Sequence, residues 1–168
     1  MDLVVGVDAG GTASRAVLAT VDGRILGRGA AGPGNPLSAG PANGAGAITA
    51  ATAEALGDHP RGAVVAAVLG IAGSSAFADP ATRAALTAAW SALGLCPPAV
   101  VGDAVTAFAA GSPQRSGAVL IAGTGAVAAL VHDRSVVRLA DGLGWLLGDA
   151  GSGRWIGLEA LRAAVRNW

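Results

Sequence analysis

Asp8 ends an apolar run that begins at Leu3, and the small residues Ala9-Gly10-Gly11-Thr12 follow it directly. A second, partly alternating apolar run from Ser14 to Val21 comes next. Strand, glycine turn and strand make a hairpin whose tip is bare backbone. Such a tip can bring several N–H groups against a phosphate with no side chain in the way. Asp8 at the strand end is placed to hold Mg²⁺, directly or through water; the plainer reading is a strand-end aspartate bonding turn amides. A second candidate carboxylate, Asp103, follows the short strand 99–102 and opens a helix. That places it at the carboxyl edge of a sheet, where open α/β sheets bind ligands. An ordinary helix cap reads equally well there.

Other glycine-rich phosphate sites fit less well. The dinucleotide fingerprint needs a helix after its glycines, whereas residues 15–19 continue as a β-like run to Asp22-Gly23. The P-loop needs a lysine, and all 11 basic residues of this chain are arginine. A phosphate-binding β-hairpin remains, with a plain glycine hairpin as its alternative.

The elements that must position these residues alternate along the chain. Three strands, Leu3–Asp8, Ser14–Val21 and Arg24–Ala31, form a meander, and Pro41 to Leu56 reads as an alanine-rich helix stopped by Gly57. The continuous apolar run Ala63–Leu69 is the pattern of a central parallel strand. Asp79-Pro80 opens a helix that ends near Gly94, followed by the strand Ala99–Gly102 and a short helix, Asp103–Ala110. The first motif then recurs. Strand Ala118–Ala122, turn Gly123-Thr124-Gly125, strand Ala126–Val131 and a further strand, Ser135–Ala140, lead to a glycine-rich loop, 141–153, and a helix running from Arg154 to Trp168. Two such hairpins suggest related halves that face each other across a nucleotide, with the second half incomplete.

Composition bounds the rest. The chain has 168 residues, 52% hydrophobic and 13% charged, with a formal net charge of zero. No basic stripe points to nucleic acid. The longest apolar stretch, 117–131, is broken by glycines and is shorter than the roughly 20 residues of a membrane span. A lone Cys96 excludes an intrachain disulfide and fits a reducing cytoplasm. His59 and His132 have no metal-ligand companions in the sequence and read as solvated turn residues.

Six segments carry a resemblance that runs over essentially the whole chain: GVDAGGTASRAVL (6–18), GPGNPLSAG (32–40), VLGIAGS (68–74), VVGDAVTAFAAG (100–111), LIAGTGAVA (120–128) and GLGWLLGDAGSGRWIGLEAL (142–161). In order and spacing they resemble the N-acetylglucosamine kinase family, and more broadly the BadF/BadG-type ATPases of the actin-like/hexokinase/Hsp70 superfamily. The resemblance implies an α/β fold of two ribonuclease-H-like domains: the first over residues 1–111, and the start of the second, truncated, over residues 112–168. It implies ATP-dependent phosphorylation of an amino sugar, N-acetylglucosamine or glucosamine, at its 6-hydroxyl, with Mg²⁺. The 168-residue chain alone is then expected to be inactive, and a homodimer is left open.

The resemblance also implies roles. Asp103 would be the catalytic base. Asp8, Gly10, Gly11 and Thr12 would hold the nucleotide and its metal from one side, and Gly123, Thr124 and Gly125 from the other. Asn35, Ser74, Gly144, Trp145 and Asp149 would face the sugar. Each has a plainer reading: a turn asparagine before Pro36, a cap at Ser74, an indole packed in a core, an Asx-type turn at Asp149. The chain departs from the family pattern at Ala150, where a glutamate is usual, and at Ala126-Val127, which bears on the identity of the sugar. Two alternatives belong to other classes. An iron–sulfur ATPase activator of a dehydratase would need cysteines beyond the first domain, and none follows Cys96. A non-catalytic sugar- or nucleotide-sensing module would have less use for Asp8 and Asp103 together.

Overall fold

A computed structural model describes residues 1–166, the side chain of Ser74 excepted. The expected end of the last helix, at Trp168, lies outside the described residues. The chain divides into two compact units, Met1–Asp103 and Ala104–Trp168.

The first unit is a five-stranded sheet in the order β3-β2-β1-β4-β5, with helices packed on it. Strands β1 (Leu3–Ala9), β2 (Ser14–Thr20) and β3 (Ile25–Ala31) form the antiparallel meander. The chain then crosses through α1 (Pro36–Ala39) and α2 (Pro41–Leu56) to β4 (Val64–Ile71), which runs parallel to β1. Helix α3 (Pro80–Ser91) returns it to β5 (Ala99–Gly102), parallel to β4. The single 3₁₀ turns Arg61–Ala63 and Ser74–Ala78 flank β4.

Period-two patterning sets the core. Leu3, Val5, Val7 and Ala9 of β1 are buried, while Gly6 and Asp8 on the other face are exposed. Ala16 and Leu18 of β2 and Ala67, Leu69 and Ile71 of β4 complete the buried layer, against Ile48, Ala51, Ala55 and Leu56 of α2 and Leu86 and Trp90 of α3. Alanines on α2 and glycines on β3 let helix and sheet approach closely. A side chain at Gly29 would lie 2.7 Å from the Ala55 backbone nitrogen and would overlap the Ala51 carbonyl. Glu54 of α2 accepts the Ala30 N–H of β3 at 2.9 Å, so its carboxylate ties an edge strand to its helix. Asp79 caps α3 as expected, accepting from the Thr82 N–H at 2.9 Å and the Thr82 hydroxyl at 2.8 Å.

The second unit begins with α4 (Asp103–Gly111, whose first residue closes the first unit) and continues as a three-stranded antiparallel sheet, β6 (Gly117–Ala122), β7 (Ala126–His132) and β8 (Ser135–Asp141). Phe108 of α4 lies over Gly117, where a Cβ would meet the ring at 2.7 Å. The glycine-rich loop that follows holds a one-turn helix, α5 (Gly144–Leu147), and leads into α6 (Gly153–Arg166). Among the described residues no helix is long and apolar enough to cross a membrane.

Candidate active site

In the first unit, three parallel strands end level with one another. Ala9 of β1 pairs with Ile71 of β4, and Ile71 pairs with Gly102 of β5. Beyond them the Ala72 N–H donates to the Ala9 carbonyl at 3.0 Å. Asp8, the loop 72–74 and Asp103 therefore share one edge of one sheet. Strands β1 and β5 are two interstrand spacings apart, about 10 Å. That interval has room for a phosphoryl group with an attacking hydroxyl. Asp8 is exposed on the face away from the core, and Asp103 is half-buried at the head of α4.

The hairpin tip is held from two sides. The Gly10 N–H donates to the Ala13 carbonyl at 2.9 Å, which closes the turn. That amide is thus engaged inside the tip and is not turned outward, which leaves Gly11 and Thr12 as the exposed part of it. The Gly10 carbonyl accepts both the Gly34 and Asn35 N–H groups, at 3.0 and 3.1 Å. Gly34 is required by space: a Cβ there would press on Ser14 Oγ, on Ala9 at 2.8 Å and on Ile48 at 3.2 Å. Asn35 Oδ1 accepts the Leu37 N–H at 2.8 Å and caps α1, which is the turn role expected of an asparagine before proline. Its amide also lies beside Gly73, whose φ of +71° suits glycine. Asn35 thus joins the meander tip, through its backbone N–H, to the loop after β4, through its side chain. Ser74 opens the 3₁₀ turn, and its side chain lies outside the described residues.

In the second unit the glycine turn is tied to the loop after β8. The Gly123 N–H donates to the Gly125 carbonyl at 2.8 Å, and the Gly123 carbonyl accepts the Gly153 N–H at 2.9 Å. Asp149 Oδ1 accepts the Ala126 N–H at 3.2 Å, just past the turn. Asp149 itself has φ of +59°, and the Asp141 carboxylate holds its N–H at 2.6 Å and that of Ala150 at 2.8 Å. The N–H groups of Ala150 and Asp149, in that order, hold the Asp141 carboxyl below the usual carboxylate range. Trp145 is 60% exposed, not packed in a core, and the Arg154 guanidinium stacks 3.6 Å from its ring centre. Gly144, at φ +81°, starts α5 beside it.

The structure brings Asp8, Gly10, Gly11, Thr12, Asn35 and Asp103 to one edge of the first unit. It brings Gly123, Thr124, Gly125 and Asp149 together in the second. Two residues with a claim on the site escaped the sequence reading. Arg15 lies directly across from Asp8 in the β1–β2 ladder, a position that counting back from the turn on an antiparallel hairpin would have found. Sequence places Asp141 only as the first residue of the glycine-rich loop, and its two amide partners alone reveal it. No group of three or more His, Cys, Asp or Glu is arranged to hold a metal among the described residues. Asp8 alone fits an ion that arrives with its other oxygen ligands already on it.

A profile of the BadF/BadG/BcrA/BcrD ATPase family matches residues 5–168, and the chain belongs to that family. A curated N-acetylmuramic acid/N-acetylglucosamine kinase from Clostridium acetobutylicum is 28% identical over 170 residues, covering all of this chain and 55% of that protein. Among solved structures, a proposed N-acetylglucosamine kinase from Porphyromonas gingivalis is 27% identical with a TM-score of 0.79, covering 99% of this chain and 57% of that one. A ROK family glucokinase from Streptomyces griseus, solved with glucose and AMPPNP, is 25% identical with a TM-score of 0.65, covering 98% of this chain and 62% of that one. The chain thus spans little more than half the length of the first relatives it matches. The α/β fold is of the actin-like, hexokinase-type ATPase class, as the sequence led us to expect.

Proposed function

We propose that the chain supplies phosphate-gripping and sugar-facing residues of an ATP-dependent kinase that phosphorylates an amino sugar, N-acetylglucosamine or glucosamine, at the 6-hydroxyl. The observation that carries this reading is the register that ends β1, β4 and β5 together, with Asp8 at one end of the edge and Asp103 at the other. Phosphoryl transfer asks for little beyond positioning and charge stabilisation. Asp103 takes the proton of the sugar hydroxyl as it attacks the γ-phosphate in line. Gly11 and Thr12 donate to the phosphates from the first tip, and the turn 123–125 does so in the second unit. The Gly10 ring of hydrogen bonds holds the first tip rigid.

Asp8 would hold Mg²⁺, directly or through water, and the ion would supply charge neutralisation on the phosphates. Asn35 keeps its side-chain N–H groups for a sugar hydroxyl while its oxygen caps α1. Gly144, Trp145 and Asp149 present the loop after β8 to the sugar. Any such contact from Asp149 uses the carboxylate oxygen that does not accept from Ala126. Ala150, where the resembled family usually has glutamate, removes one carboxylate from this loop and bears on which 2-substituent is accepted.

The test is a coupled assay on the intact protein with ATP, Mg²⁺ and N-acetylglucosamine, glucosamine, N-acetylmannosamine or glucose. Turnover is expected with an amino sugar, and mass spectrometry and NMR should place the phosphate on its 6-oxygen. ATP hydrolysis that is indifferent to all four sugars, with no sugar phosphate formed, would overturn the kinase reading.

A further inference from the structure

We propose that Asp141 is a positioning residue for the second glycine turn: through Asp149 it fixes the backbone that meets the nucleotide phosphates. The inference rests on the reading of 123–125 as a phosphate turn. The geometry is a relay of two carboxylates. Asp141 sits at the end of β8 with φ of +65°, which turns the chain sharply into Gly142. From there its two oxygens receive the N–H groups of Asp149 and Ala150, at 2.6 and 2.8 Å. Holding those two amides fixes the backbone of Asp149, itself at positive φ. The Asp149 carboxylate is thereby aimed at the Ala126 N–H, the first amide after the turn.

The glycines of this region are placed for the carboxylates. A Cβ on Gly148 would overlap Asp141 Oδ1, and a Cβ on Gly125 would sit 3.2 Å from both oxygens of Asp149. Neither glycine has positive φ, so what each provides is space for a carboxylate against bare backbone. Three further bonds close the unit: Gly142 N–H to Ala126 carbonyl at 3.0 Å, Ser152 N–H to Asp149 carbonyl at 3.0 Å, and Gly153 N–H to Gly123 carbonyl at 2.9 Å. A turn that is to present amides to a phosphate must be held before the phosphate arrives, because ordering it on binding weakens the complex. Hydrogen bonds to an ionised acceptor are the strong ones for that purpose.

The experiment uses Asp141→Asn and Asp141→Gly in the intact protein. Both tolerate positive φ, so backbone strain is not introduced, and both lose the two-oxygen acceptor. Amide exchange is followed at Ala126, Asp149 and Ala150, and calorimetry measures ATP binding with Mg²⁺ and, separately, N-acetylglucosamine binding. Ala126 exchange is expected to quicken and ATP affinity to fall, each by about tenfold, the worth of one charge-assisted hydrogen bond. N-acetylglucosamine affinity is expected to fall as well, because the backbone that Asp141 holds also carries Asp149 toward the sugar. Faster exchange confined to Asp149 and Ala150, with Ala126 unchanged, would overturn the proposal. Should either variant fail to fold, Asp149→Asn tests the second step: Ala126 is expected to lose protection while Ala150 keeps it, and unchanged exchange at Ala126 overturns the relay. Wild-type protein that binds no ATP would sink the functional reading, and Ala126 exchange would still decide the positioning role.

Discussion

Asp103 and Asp8 are both carboxylates at the same edge of the sheet, and their surroundings differ. Asp8 is exposed beside a tip of bare backbone, where an ion and phosphates are reachable. Asp103 is half-buried at the head of α4, directly after β5, the strand two places away. If Asp103 is the base, Asp103→Asn should lower kcat by ~10²–10⁴-fold, the usual contribution of a positioned base. Binding of ATP and sugar, measured separately by calorimetry, should stay near wild type. Near-normal turnover in that variant would remove the assignment. The candidates at this edge were legible because glycine turns and strand ends announce themselves in sequence. What Gly10 does was not legible: its type said only that backbone was bare, and the fold shows its N–H engaged by Ala13 and its carbonyl by Gly34 and Asn35. The same holds for Asp149, whose carboxylate reaches an amide more than twenty residues earlier in the chain.

At the scale of elements, close approach of α2 to β3 makes a prediction of opposite sign at two glycines. Gly29→Ala drives a methyl into the Ala51–Ala55 backbone of α2, and should cost about 1–3 kcal/mol, the range for overpacking. Gly6→Ala, on the exposed face of β1 with nothing within 4 Å of its Cβ, should be neutral or slightly stabilising. Urea unfolding of the two variants compares them directly. The cap of α3 makes a pH prediction. The Thr82 N–H, then its hydroxyl, hold the Asp79 carboxyl below the usual carboxylate range. A depressed folded pKa means that the stabilisation is complete above the unfolded value and fades as pH falls through the folded one. Wild type should therefore lose an increment of stability below about pH 4 that Asp79→Asn lacks, seen as converging urea midpoints on acidification. Strands and long helices were readable to within a residue or two, because period-two burial and the Asp79-Pro80 and Gly57 signals agree with the packing. The one-turn helices α1 and α5 were not. Four residues carry no apolar period, and both lie inside runs of glycine and proline that read as loop.

At the scale of the whole molecule, the two units differ in how much of their apolar surface is covered. The first builds a continuous buried cluster from both sides of the α2 and α3 contact with the sheet. In the second, α6 buries none of its described residues. Leu158, Leu161 and Val165 share one face of that helix, with Leu161 66% exposed, and Glu159, Arg162 and Arg166 line a separate stripe. Val137 and Leu139 of β8 and Leu143, Leu146 and Leu147 of the following loop are exposed as well. Sequence alone does not reveal this exposure, because a stripe at helical spacing says which face is apolar and not whether anything lies on it. Exposed apolar surface of this kind drives association in water. The 168-residue chain on its own is expected to bind the dye ANS and to self-associate at micromolar concentration. Leu161→Arg with Val165→Glu should reduce both, without shifting the unfolding midpoint of the first unit. Sedimentation velocity and dye fluorescence on the two forms decide it. A wild-type chain that stays monomeric and dark with ANS would mean that the apolar face of α6 is covered in solution.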